Sequence, residues 1–175
     1  MLKKISAVAM LLLSGCVSTP EGVKPVENFD LDRYLGRWYE IARLDHSFER
    51  GLSQVTADYS LRDDGLVRVI NRGYDKQQDR WKEAQGKARF VHQLDQGFLK
   101  VSFFGPFYGS YIIFALDHDN YQYAMISGPD TSYLWILARQ PTLSEEIRQR
   151  LVTKAQERGF DTNGLIFVAH DQLSN

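Results

Sequence analysis

Leu52-Ser53-Gln54-Val55-Thr56-Ala57-Asp58-Tyr59-Ser60-Leu61 alternates, with Val55, Ala57, Tyr59 and Leu61 on one face and Gln54, Thr56, Asp58 and Ser60 on the other. A period of two residues marks a half-buried β-strand. Arg62-Asp63-Asp64-Gly65 follows as a hairpin turn signal, and Leu66 to Tyr74 returns to the extended pattern. Outward from this pair, Arg37 to Leu44 comes before it. Trp81 to Val91, Phe98 to Phe104, Ser110 to Asp117, Tyr121 to Ser127 and Tyr133 to Arg139 come after, which makes eight strands. Their connections are short and carry no helix, so neighbours are antiparallel. Closing such a meander removes both of its exposed edges. The expected fold is therefore all-β, an eight-stranded up-and-down antiparallel barrel.

Past Arg139 the period changes. Thr142-Leu143-Ser144-Glu145 resembles a capping box, with Pro141 before it. Leu143, Ile147, Leu151 and Ala155 recur every four residues, and Gly159 stands where a helix would end. One C-terminal α-helix with a single apolar stripe is expected, packed outside the barrel. Leu165 to Val168 reads as a short last strand.

The N-terminal stretch MLKKISAVAMLLLSGC has a charged start at Lys3 and Lys4, an apolar run from Ile5 to Leu13, and small residues at Ser14 and Gly15. Residues 1–15 are thus expected to be a signal peptide. The apolar run is far shorter than the ~20 residues of a membrane-spanning helix. Leu13-Ser14-Gly15-Cys16 resembles the lipobox of bacterial lipoproteins, which implies acylation of Cys16 with fatty chains such as palmitate. Val17 rather than Asp follows the cysteine, and by the same analogy the protein is sorted to the outer membrane, its domain facing the periplasm. Residues 16–28 are expected to form the lipidated N-terminus and a polar tether, and 29–175 the domain.

Cleavage would leave 160 residues, enough for one core, with 19 basic against 22 acidic residues. No basic patch suggests nucleic acid as a partner. Cys16 is the only cysteine, so no internal disulfide is available. The four histidines, at 46, 92, 118 and 170, lack ligand spacing, and no metal site or cofactor is expected. No serine sits in a nucleophile elbow, and no catalytic residue is expected.

A barrel of eight strands either fills with side chains or holds one small ligand. The small residues of Ala84-x-Gly86-x-Ala88 leave room on one wall, but they could equally sit opposite large ones in a solid core. Strands one and eight become neighbours on closure, which brings Trp38 and Arg139 to one end as a cation–π pair. Phe29 to Leu35 could plug that end. Glu40 shares the parity of Trp38, so its carboxylate points inward and needs a partner. The segments 45–51 and 105–109 fall at the opposite, open end, with Phe104, Phe107 and Tyr108 as a lip or as packing between loops.

Asn28-Phe29-Asp30 with Tyr34-Leu35-Gly36-Arg37-Trp38-Tyr39-Glu40-Ile41-Ala42-Arg43 resembles the first lipocalin signature. Asp119-Asn120-Tyr121 resembles the second in Tyr121 alone, and Leu137-Ala138-Arg139 the third. The likeness covers about residues 28–170. With the lipobox, the resemblance is to the outer-membrane lipoprotein branch of that family. It implies a lipid-binding protein that holds or transports fatty acids or lysophospholipids in the barrel, for membrane maintenance under stress, and pairing into a homodimer. It also implies that Gly36, Trp38 and Arg139 close the barrel. Aided by this comparison, the expected cavity lining is Ala57, Tyr59, Phe90, Val101, Phe103, Phe114, Met125, Tyr133 and Trp135. Two other classes remain: a lipid-modifying enzyme on the same fold, with Glu40 as its only candidate group, and a purely structural envelope protein with a filled barrel.

Overall fold

A computed structural model describes residues 17–170. Cys16 and residues 1–15, expected as a signal peptide, lie outside the described residues. Eight strands meander as expected: β1 (Gly36–Arg43), β2 (Leu52–Leu61), β3 (Val67–Asp75), β4 (Arg80–Phe90), β5 (Phe98–Phe104), β6 (Phe107–Leu116), β7 (Tyr123–Ser127) and β8 (Leu134–Ala138). Each pairs antiparallel with the next, and β1 closes the ring by pairing with β8 from Tyr39↔Ala138 to Arg43↔Trp135. On its other edge β1 meets β2 only from Gly36↔Tyr59 to Tyr39↔Thr56. Above that point the two strands part, and the C-terminal β9 (Ile166–Phe167) pairs with Ala42 and Arg43. Gln54 donates its backbone N–H to the Ala169 carbonyl at 2.9 Å, and Val168 donates to Ile41 at 3.0 Å. The chain's last described segment thus stitches the seam.

The closed end is built from the expected plug. Asp30 caps the four-residue α1 (Leu31–Tyr34) by accepting from the Asp32 and Arg33 N–H groups. Trp38 is fully buried above it and donates its indole N–H to the Tyr34 carbonyl at 2.8 Å. The Arg139 guanidinium lies 4.0 Å over the Trp38 ring. It also donates to the carbonyls of Arg37 (2.9 Å) and Arg33 (2.7 Å), which no lysine could do with one rigid fork. Gly36 has φ +93°, and an added Cβ would lie 3.5 Å from Arg139 Nη1, so the turn into β1 favours glycine.

The helix α2 (Glu145–Glu157) buries Leu151 and Ala155 against the outside of the barrel, as the stripe requires. Its N-cap is Ser144, not Thr142: the Ser144 hydroxyl accepts from Ile147 N–H, and Glu145 pairs instead with Arg148. Pro141 and Thr142 remain in the connection from β8.

Residues 17–28 are not the free tether expected from their polar composition. They form a strap along the outer wall. Pro20 and Val23 are buried, Val26 exchanges backbone hydrogen bonds of 2.8 Å with Ile113 and Gly97, and Glu27 bridges Gln96. The strap fits because position 97 is glycine: an added Cβ there would lie 2.8 Å from Val26 Cγ2. A few apolar side chains among the polar ones suffice to dock a segment that composition alone describes as a linker.

Candidate ligand site

Two apolar clusters share the sheet. One lies between the barrel and α2, the other fills the interior. Interior positions alternate along each strand, and just above the plug they enclose a small void lined by Leu31, Tyr34, Tyr59, Val67, Val69, Ala88, Leu99, Val101 and Tyr111. Its volume is about 10 Å³, at the limit for one water. The lining is apolar apart from three tyrosine hydroxyls, and these satisfy one another. Tyr111 bonds both Tyr34 and Tyr59 at 2.8 Å. Burial pushes all three phenols above their ordinary pKa, so they stay neutral.

Of the expected lining, Tyr59 and Val101 border this void, and Ala57, Phe90, Phe103 and Trp135 belong to the interior cluster. Phe90 sits low, 6.1 Å from the Phe29 ring. Phe103 lies across Gly86, where an added Cβ would be 2.8 Å from its ring. The volume spared by Ala84-x-Gly86-x-Ala88 is therefore partly taken by an aromatic side chain. Tyr133 stands at the mouth, stacked with Trp135 and His46. Phe114 and Met125 are corrections: both pack in the cluster between barrel and helix. Ile112 and Ser127 pair with each other on that same outer face. The inward residues of these strands are Tyr111, Ile113, Leu116, Ala124 and Ile126. A bulge between Ile113 and Ala115 turns both Phe114 and Ala115 outward. Both faces of β6 and β7 are buried, so neither carries a polar phase to read. The alternating Val67 and Val69 could have been found from sequence, since β3 is as regular as β2.

The upper interior is polar and buried. Glu40 and Arg43 point inward on either side of a bulge and form an ion pair of 2.6 Å, each almost fully buried. Arg43 also donates to the carbonyls of Glu49 (2.9 Å) and Leu52 (3.1 Å). Glu49 accepts from the Trp135 indole at 3.1 Å and lies 3.0 Å from His46 Nε2. Two carboxylates thus face one permanent cation. Burial and repulsion from Glu49 push the Glu40 carboxyl up, against the pull of Arg43. Burial also raises Glu49, but His46, Trp135 and Arg43 outweigh it and hold that carboxyl down. Of the two carboxyls, Glu40 is therefore the one biased towards its neutral form and Glu49 the one biased towards its ionised form. Arg43 Nε and His46 Nδ1 have no hydrogen-bond partner among the described residues.

The mouth itself is aromatic. Phe48, Phe104 and Phe107 are exposed by 59%, 80% and 77%. Tyr108 is not part of this lip: it lies lower, with Arg89 and Lys100 each 5.3 Å from its ring.

A closed eight-strand meander, a tryptophan under an arginine at the plugged end, and an outer C-terminal helix coincide with a match to the lipocalin-like domain family over residues 29–170. The chain belongs to the lipocalin family. It is 60% identical to the outer membrane lipoprotein Blc of Vibrio cholerae serotype O1, over 90% of this chain and 92% of that protein. It is 52% identical to the protein of the same name in Escherichia coli K12, over 93% of each. The temperature-induced lipocalin-1 of Arabidopsis thaliana is 35% identical over 80% of this chain and 78% of its own. Among solved structures, insecticyanin from Manduca sexta superposes with a TM-score of 0.70 at 22% identity, covering 89% of this chain and 88% of that one. That identity speaks for the fold alone. For this lipocalin the comparisons point to a binding protein rather than an enzyme.

Proposed function

We propose that this lipocalin is a lipid-binding outer-membrane lipoprotein, acylated on Cys16 and facing the periplasm. In this reading it holds or transports fatty acids or lysophospholipids for membrane maintenance under stress. The observation that carries the reading is an apolar barrel interior sealed at one end by Trp38 and Arg139 and rimmed by aromatics at the other. An acyl chain would run down through the position of Phe103 towards Tyr59 and Val101. A headgroup would stop at the polar cluster, where Arg43 Nε and His46 Nδ1 lack partners among the described residues. The small void favours a second reading, a filled barrel with a structural role only. Titration of delipidated protein with a fluorescent fatty acid, read through quenching of Trp38 and Trp135, separates the two. Saturable binding supports the carrier; no saturable binding of any chain, in wild type or in Phe103→Ala, leaves the filled barrel.

A further inference from the structure

The strap settles more than the packing of twelve residues. It runs from the plugged end, where Glu27 bridges Gln96, to the open end. There Ser18 donates its hydroxyl to the Pro129 carbonyl (2.9 Å), in the β7–β8 connection at the mouth. Its own carbonyl accepts from the hydroxyl of Ser110 (2.7 Å), the fourth residue of β6. Val17 packs against the outer cluster. Cys16 directly precedes Val17 in the sequence. At a strand rise of about 3.4 Å per residue, Ser110 stands only about 10 Å below the Phe104–Phe107 turn. An acyl anchor on Cys16 therefore leaves the body beside the mouth, with no dozen-residue leash to let the barrel tumble.

From this we infer that the membrane leaflet holding the anchor is also the docking surface of the aromatic rim. The strap sets the barrel mouth-down, and Phe48, Phe104 and Phe107 enter the interfacial layer. The inference rests on acylation of Cys16 as proposed above. Three phenylalanines are left exposed on two separate connections at one end, Phe48 with one face stacked on His46, and together they present apolar surface to solvent. A lipid chain and an aromatic patch together make the two signals that stable peripheral anchoring needs. The same orientation places the polar cluster of Glu40, Arg43 and Glu49 at headgroup depth and lets an acyl chain pass between leaflet and barrel without crossing water.

The test uses the full lipidated protein in vesicles of phosphatidylethanolamine and phosphatidylglycerol, with an environment-sensitive fluorophore on Phe107→Cys or, at the opposite end, on the exposed Leu94→Cys. A severalfold rise and blue shift at position 107, with none at 94, is the expected result. Inserting a long Gly-Ser segment between Val17 and Ser18 should reduce the signal at 107 while the protein stays on the vesicle. Intact mass of the same sample reports acylation. An unacylated mature chain overturns the anchor and this inference together. An acylated, vesicle-bound protein whose position 107 stays wet, or whose 94 responds instead, overturns the inference alone. So does a blue shift at 107 in the soluble Cys16→Ala protein without vesicles, which would make the rim a contact between copies.

Discussion

Glu40 is the residue whose surroundings most constrain its chemistry. Its carboxyl is pushed up by burial and by Glu49, so the folded protein prefers it protonated. A raised carboxyl contributes stability below its unfolded value, near 4.5, and loses that contribution as pH rises through the folded value. Glu40→Gln keeps an acceptor for Arg43 and cannot ionise. Thermal unfolding of both proteins across pH should therefore show their difference moving in favour of Gln as the medium becomes more alkaline. A gap that stays constant would mean that Glu40 is not the member of the pair biased towards its neutral form. Tyr111 makes a different kind of demand. Tyr111→Phe strands the Tyr34 and Tyr59 hydroxyls, and denaturant unfolding should show a loss of about 1–3 kcal/mol.

Among the elements, the strap and strands β6 and β7 show what sequence periodicity can and cannot carry. The boundaries of β2 and β5 follow from their residues without error, because alternation and flanking turn residues agree there. The plug, the seam and Glu40's inward aim follow equally from strand count and parity. The side facing the cavity in β6 and β7 does not, because Ile112-Ile113-Phe114-Ala115 is apolar on both faces and hides a bulge. The strap is illegible for the converse reason: its docking depends on Gly97 and Ile113, some seventy to ninety residues away. Gly97→Val would drive a branched side chain into Val26 Cγ2 and the Ile113 carbonyl. It should lift the strap, cost about 1–3 kcal/mol, and open residues 17–28 to limited proteolysis while the barrel stays intact.

For the whole molecule the controlling quantity is how little space lies above the plug, where the chain end of a ligand would have to go. A void near 10 Å³ there means that a chain must displace side chains, and Phe103, packed across Gly86, is one whose removal would make room. Phe103→Ala should lose about 2 kcal/mol of stability and bind a long-chain fatty acid about tenfold more tightly than wild type by the titration above. Unchanged affinity would place the path elsewhere.

The seam between β1 and β8 also bears on when the fold can form. Tyr39 pairs with Ala138, so closure joins positions roughly a hundred residues apart. Contacts that distant pay their loop-closure entropy before they return any stability, and such topologies fold slowly. Until β8 arrives, the β1 edge that it will cover has no partner. A chain released across a membrane from its N-terminus would carry that open edge of its first strand until nearly all of it had been delivered, and the ring would close only then.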